Sequence, residues 1–466
     1  MKLTVSRKKH TGVIQARLGS YLVIPLKYEQ NGLNTNWLKK LKSPECLSTM
    51  DLTEPVKELF VPNAPSRVGV RYHIPHDMLI NELLNEKDKH DCTFQVHKVQ
   101  DGRKTERTFD FFDAWLYVFD TQVALLCLGL LYSSMDTLLC ICNPGFVENN
   151  AEYSYVDKAG KRQDFSLKES LDGLCERAGL KALFTTSSPM ILEANTYNLA
   201  VMPQRFQDLE TIRKITFNQH RMSALDLETE DQSEDDVRYV YSVRDQETNS
   251  YRWGCCVSSQ TLSYVVGGQG LKLEEELQAQ AQDGLPLLAL ALHEKYTCVR
   301  FSQLVAALPD RKSKRLRELK QMMLDFRAFG VVTPANISRW NNVKKIYEYI
   351  LDTNGIPESI DDIHHKLSIL IERQHEIETS RNDAIGWVLT LFGITSILDS
   401  ILSIIQILAE GSDLEWNATI LSSLIMFIMM VVVIVTSWWK HRLKDSIKNT
   451  TRKKKERHAG KTTRTL

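Results

Sequence analysis

Two long apolar runs near the end of the chain constrain it most. They cover residues 385–408 (24 residues) and 418–439 (22 residues), joined by nine residues with three acids and no Lys or Arg. At about 1.5 Å per residue they would span roughly 36 and 33 Å as helices. Both exceed the ~20 residues that a bilayer core requires. The joining loop, 409–417, carries Glu410, Asp413 and Glu415, whereas Arg373 and Arg381 precede the first run and Lys440, His441, Arg442 and Lys444 follow the second. Positive flanks stay on the cytoplasmic side. The sequence therefore predicts a multi-pass hairpin in the inner (plasma) membrane, with both termini cytoplasmic and only the acidic loop outside. Trp387, Trp416, Trp438 and Trp439 fall near the four helix ends, where amphipathic rings favour the interface.

Everything before the hairpin reads as soluble. Of 466 residues, the 384 ahead of it suffice for two or three ordinary domains. A formal net charge of zero hides an asymmetry: residues 440–466 hold eleven Lys or Arg against Asp445 and Glu456, a tail of +9. Such a tail beside a membrane helix binds anionic lipid, and Arg452 to Lys455 are read in that way, with no direct nucleic-acid partner. The nine cysteines run from Cys46 to Cys298, an odd number without zinc or redox spacing. They read as reduced cytosolic thiols. The first residues lack an apolar core, so no cleaved signal peptide is expected.

The soluble part reads as an α+β cytosolic domain. Residues 1–225 form an N-terminal α/β part, with strands at 19–25 and 115–119. The apolar stretch 121–132, bounded by Asp120 and Asp136, is about 15 residues between charges, which fits a buried strand better than a third membrane span. Residues 226–284 comprise an acidic loop and a β-hairpin. Seven acids and no Lys or Arg lie within 225–236, and 237–243 and 251–257 alternate at period two about a polar turn. Residues 285–356 are helical, with apolar helical spacing over 285–308, 314–329 and 341–351.

From Pro357 no proline or glycine occurs until Gly386. Ile356, Ile360, Ile363, Leu367, Leu370, Gln374, Ile377, Arg381, Ala384 and Val388 step alternately by four and three, a heptad pattern. The spacing predicts one helix over 357–408, its part at 357–384 a stalk and its part at 385–408 the first membrane helix. A long amphipathic helix packed on its own domain is the alternative.

The two membrane runs differ in polarity. Residues 418–439 are nearly all Ile, Leu, Met and Val, whereas 385–408 carry Thr395, Asp399, Ser403 and Gln406 on one face, stepping by four, four and three. Asp399 lies about 21 Å along the helix from Ile385. A carboxylate facing lipid there costs roughly 2.5–3.5 kcal/mol, and neither run holds a Lys, Arg or His. A water-filled path lined by the same helix from several subunits would relieve that cost, and a ring of Asp would favour cations. Glu410, Asp413 and Glu415 would form its outer mouth. Alternatively, Asp399 is hydrogen-bonded to Ser or Thr hydroxyls inside a packed, non-conducting bundle.

This architecture resembles the CorA family of divalent-cation transporters: a cytosolic α/β domain, a very long stalk helix entering the first membrane helix, a short acidic outer loop, a second helix and a basic tail. The likeness is clearest over residues 285–442. It implies a homo-oligomer, a pentamer with the first helix lining the pore, and it places Lys440, Arg442 and Lys444 in a basic ring at the cytoplasmic exit. Magnesium or another divalent cation is the permeant ion to consider; no cofactor is called for. The chain departs from the family at its signature, since Leu408-Ala409-Glu410-Gly411-Ser412 stands where Gly-Met-Asn is expected. Magnesium selectivity is therefore not inherited. The missing motif and large soluble part look more like the CorA-like effectors found beside type III CRISPR systems, which implies a ligand-gated antiviral channel answering a nucleotide second messenger. A divalent-cation transporter and a membrane-anchored signalling protein are the alternatives.

No phosphate loop, His-Glu-x-x-His or Gly-x-Ser-x-Gly occurs, so no enzyme is expected. Gly267-Gly268-Gln269-Gly270 reads as a turn, and His73, His76 and Asp77 as a surface turn rather than a metal set. His364 and His365 read as a solvated face of the stalk. Arg311, Lys312, Lys314 and Arg315 begin a helix with a basic face, which is either solvated or holds a phosphate-bearing activator. Arg213, Lys214 and Arg221 form a second anion candidate.

Overall fold

Two strands with almost no solvent-facing residue organise the α+β part. β1 (Arg17–Lys27) has nine consecutive buried residues, and β5 (Val123–Tyr132) is buried at every position but one. A strand apolar on both faces must lie inside a sheet covered on both sides. They pair antiparallel, with Tyr21 opposite Gly129 and Pro25 opposite Leu125. The computed structural model describes residues 16–29, 31–41, 51–61, 63–85, 92–100, 103–142, 152–184, 194–223, 225, 239–307 and 313–409.

Around this pair the chain adds β2 (Gly69–Ile74), β3 (Thr93–Gln100), β4 (Arg103–Phe119), β6 (Glu152–Val156), β7 (Arg162–Phe165), β8 (Lys181–Ala182), β9 (Asn195–Met202), β10 (Val240–Tyr241), β11 (Arg244–Asp245), β12 (Ser250–Tyr251), β13 (Trp253–Val257) and β14 (Thr261–Gly267). Twelve form one sheet in the order β10-β13-β14-β9-β1-β5-β4-β3-β6-β7, with β2 on β4 and β8 on β1; β11 and β12 form a separate ribbon. All its pairings are antiparallel except β14 with β9. The stretch expected as a buried strand is β5. The hairpin expected at 237–257 is β10 with β13, Val240 opposite Cys256, and its distal end is the β11–β12 ribbon. Most of the acidic loop before it lies outside the described residues.

The helices are α1 (Thr35–Leu38), α2 (Glu54–Glu58), α3 (His76–Leu84), α4 (Met135–Cys142), α5 (Leu167–Ala178), α6 (Leu209–His220), α7 (Leu273–Gln282), α8 (Gly284–Ala306), α9 (Ser313–Asp325), α10 (Pro334–Ile337), α11 (Asn341–Thr353) and α12 (Ile356–Ala409). A π-helical turn, Phe326–Gly330, follows α9. Side chains alternate across the strands, so the sheet has two cores. Tyr21, Val23, Tyr117 and Tyr197 face the layer of α2, α7, α8, α9, α11 and the start of α12. Leu22, Ile24, Leu116 and Ala200 face α1, α3, α4, α5 and α6. α8 is the central helix of the first layer, buried from Leu285 to Leu292 and again at Tyr296 and Phe301. The result is an α+β unit with a large sheet.

The chain divides into two units, Met1–Ser368 and Ile369–Leu466. The division falls within α12, whose 54 residues correspond to about 81 Å of helix. Ile356, Ile360, Ile363 and Leu367 are buried in the first unit. Ala384 and Val388, on the same heptad face, are exposed. The first three turns or so of α12 therefore pack on their own domain, as the alternative reading of the pattern expects, while the exposed positions beyond Ser368 are not covered by the described residues. His364 and His365 are exposed.

In the second unit, the described part is the α12 helix from Ile369 onward. Leu367→Ala should lower the unfolding free energy of the detergent-solubilised chain by about 2–4 kcal/mol. Ile369→Ala, at a residue 50% exposed, should change it by less than about 0.5 kcal/mol. Urea titration followed by tryptophan fluorescence separates the two; equal costs would mean that the packed unit extends past Ser368.

Candidate functional site

The described part of α12 is long and apolar enough to cross a membrane, and its most apolar eighteen residues are not buried by the chain. Val388, Leu389, Phe392, Ile397 and Ile404 are each more than half exposed. Soluble proteins rarely leave so continuous an apolar surface in water.

Within this stretch the polar side chains behave differently from one another. Thr390 donates to the Gly386 carbonyl at 2.8 Å, Thr395 to the Leu391 carbonyl at 2.9 Å, and Ser400 to the Ser396 carbonyl at 2.9 Å. Such bonds to the preceding turn satisfy a hydroxyl without any outside partner. Ser403 donates to the backbone carbonyl of Asp399 at 2.9 Å, so its hydroxyl is engaged below the Asp399 carboxylate rather than with it. The hydroxyls of this helix are therefore at home in an apolar setting, while Asp399 presents an exposed carboxylate. Thr395, Asp399 and Ser403 share one face at helical spacing.

The Gln406 side chain lies outside the described residues. So do Glu410, Asp413 and Glu415, the second apolar run at 418–439, and Lys440, Arg442 and Lys444.

The basic candidates do not converge. Arg213 on α6 pairs with Glu210 at 3.1 Å, and Arg221 just past that helix lies over the Phe217 ring at 5.6 Å. Lys214 is on the same helix. Arg315 is exposed on α9, while Arg311, Lys312 and the Lys314 side chain lie outside the described residues. α6 packs through Ile212 and Ile215 on one face of the sheet, and α9 through Leu319 and Met323 on the other. The sheet itself separates the two groups.

One polar cluster was misread from the sequence. His73 and His76 were expected in a surface turn; instead His73 closes on the interior from β2 and His76 opens α3. The physical reason is a bulge in β4. Between Phe111 and Ala114 that strand advances one residue more than β5 does, which turns Asp113 onto the face of its neighbour Trp115. The Asp113 carboxylate then accepts from Tyr21 at 3.0 Å, from Trp115 Nε1 at 3.0 Å and from His73 Nε2 at 3.1 Å. His73 stacks on Trp115 at 4.4 Å, and His76 donates through Nδ1 to the Phe111 carbonyl at 2.9 Å. Burial, and then the neighbouring Asp113 charge, hold the Tyr21 hydroxyl well above its ordinary value.

Gly129 makes the cluster fit, since a Cβ there would stand 2.8 Å from Asp113 Oδ1 and 3.0 Å from the Tyr21 ring. Arg71, only 1% exposed, lies over Trp115 at 4.6 Å and donates to the Gln282 side chain at 3.1 Å. A cation is favourable there, at the carbonyl end of α7. The available signal was an acid directly preceding the apolar second half of the strand, Ala114–Phe119, but nothing local specified its three partners. Chemically this is a brace across β1, β2 and β4.

Among the described residues, no group of three or more His, Cys, Asp or Glu is placed to hold a metal ion. A cleft of about 440 Å³ at the end of α5 is lined by Glu29, Asp172, Glu176 and Lys181, and Glu29 is paired with Arg300 at 3.2 Å. The chain matches no protein-family model and no curated protein sequence.

The brace is testable. Asp113→Ala strands two buried donors and should cost about 2–5 kcal/mol; Gly129→Ala forces the carboxylate aside and should cost about 1–3 kcal/mol. Thermal melts of both variants check this, and unchanged melting would mean that the Asp113 contacts contribute nothing.

Proposed function

We propose that several copies of this chain assemble in the inner membrane into a cation-conducting pore lined by α12, which the cytosolic unit gates. The observation that carries this reading is an unburied apolar helix with an exposed Asp399 on the same face as Thr395 and Ser403. Hydrocarbon satisfies the apolar side chains, but a lone carboxylate at that depth is costly. An aqueous lumen shared by several helices satisfies both. Because the helix hydroxyls bond backbone carbonyls of their own helix, they leave the carboxylate facing the lumen. The hairpin partner at 418–439 supplies the lipid-facing side, and the acids at 410, 413 and 415 the outer mouth.

The resemblance to CorA-like effectors supports a pentamer and activation by a nucleotide messenger. The missing Gly-Met-Asn argues against a housekeeping magnesium transporter. No anion pocket is assigned for the activator.

Conductance of the purified protein in a planar bilayer tests this, with and without a panel of candidate nucleotide messengers. Asp399→Asn should reduce cation current several-fold in dilute salt. The difference should shrink in 1 M salt, where the Debye length is only about 3 Å. Steady divalent current without any addition would favour the transporter. Silence throughout, with Asp399→Asn cells behaving as wild type, would leave α12 as an anchor.

A further inference from the structure

The root of α12 is held by two consecutive residues of α8. Glu294, only 1% exposed, accepts on one oxygen from the backbone N–H of Val332 at 3.0 Å and from the Tyr347 hydroxyl at 2.9 Å. Val332 follows the π-helical turn and Tyr347 is a buried residue of α11, so a single carboxyl oxygen ties three segments. Lys295 donates to the Asn354 side chain at 2.8 Å. Asn354 caps α11 and is followed by Gly355 at φ +56°, a left-handed conformation that suits glycine. Ile356 then begins α12. From the other side, Tyr239 donates to Asp352 at 2.7 Å. The joint thus has one interior anchor that can change charge and two polar ties near the surface.

We propose that Glu294 is a proton-operated latch on the root of α12: neutral, it holds α11 and the joint closed; ionised, it loosens them. The consequence for conduction rests on the pore reading above, with alkalinisation of the cytosolic side favouring opening.

The groups facing Glu294 define the chemistry. Tyr347 faces it from α11 and the Val332 N–H from the segment after the π-helical turn. On α8 itself, the Cys298 thiol is pushed up to about 12 by burial first and then by Glu294 and by Asp362 of α12. His293 is occupied elsewhere, stacked on Phe119 at 4.0 Å and bonded to Thr121 at 3.1 Å. Lys295 is engaged at Asn354. Among the described residues no cation offsets a charge on Glu294, and two neutral donors do not replace full hydration. Burial pushes its carboxyl up to about 8, with the Val332 and Tyr347 hydrogen bonds pulling back.

The sign follows from proton linkage. An opened joint hydrates Glu294 and returns its pKa toward 4.5, so opening releases a proton at any pH between 4.5 and about 8. The opening equilibrium therefore rises with pH over that interval, by up to about tenfold per unit, and levels off above it.

Hydrogen exchange of the full chain in lipid nanodiscs, corrected for intrinsic rates, reads this without depending on current. Protection over residues 341–367 should fall up to about tenfold per pH unit between 5.5 and 8, and Glu294→Gln, which keeps the accepting oxygen, should flatten the dependence. Tyr347→Phe should lower protection while keeping the slope, and serves if Glu294→Gln misfolds. A flat wild-type profile, or the same slope in Glu294→Gln, overturns the latch. Loss of slope in Glu294→Gln with no current at any pH supports the latch and overturns the pore. Current whose pH dependence is identical in wild type and Glu294→Gln overturns the latch as a gate.

Discussion

Every apolar turn of α12 must be kept from water, and the unit Met1–Ser368 covers only the first few. Ile356, Ile360, Ile363 and Leu367 pack against α8 and its neighbours, where burial of each large aliphatic side chain contributes roughly 1.5–3 kcal/mol. Beyond Ser368 the helix keeps its regularity while losing its protein cover. A 54-residue helix is stable over such a length only if something replaces that cover, because isolated helices depend on packing. Hydrocarbon is the solvent that suits this side-chain set. Asp399 is the exception, and its position organises the functional reading.

Inside the unit Met1–Ser368 the same dielectric argument runs in reverse. Asp113 is almost buried and is provided with three donors, because an unsatisfied carboxylate in a sheet interior would open the fold. Glu294 is buried as deeply but has two neutral donors on one oxygen. The first arrangement accommodates a charge and the second resists one. That difference separates a brace from a group whose protonation matters, and Glu294 sits where α8, α11 and the start of α12 meet.

Much of this was legible in the sequence where the controlling interactions are local. β5 was readable as a strand because its apolar run is too short to cross a bilayer and carries no helical stripe. The helices at 284–306 and 341–353 were readable from their spacing. The boundary inside α12 was not, since Leu367 and Val388 occupy equivalent heptad positions and differ only in what lies beside them. His73 was misread because its environment is made by a bulge in β4, forty residues away.

By itself, then, the sequence determined that this chain has an α+β part and a long helix at 356–409 apolar enough to cross a membrane, because periodicity, run length and charge placement are properties of neighbouring residues. The tertiary structure decided the rest. It set β14 parallel to β9 and placed the basic faces of α6 and α9 on opposite sides of one sheet. It brought Tyr21, His73 and Trp115 to Asp113, and Val332 and Tyr347 to Glu294. Those are pairings between distant segments, selected by how two apolar faces of a single sheet can be covered at once, and no local pattern encodes them.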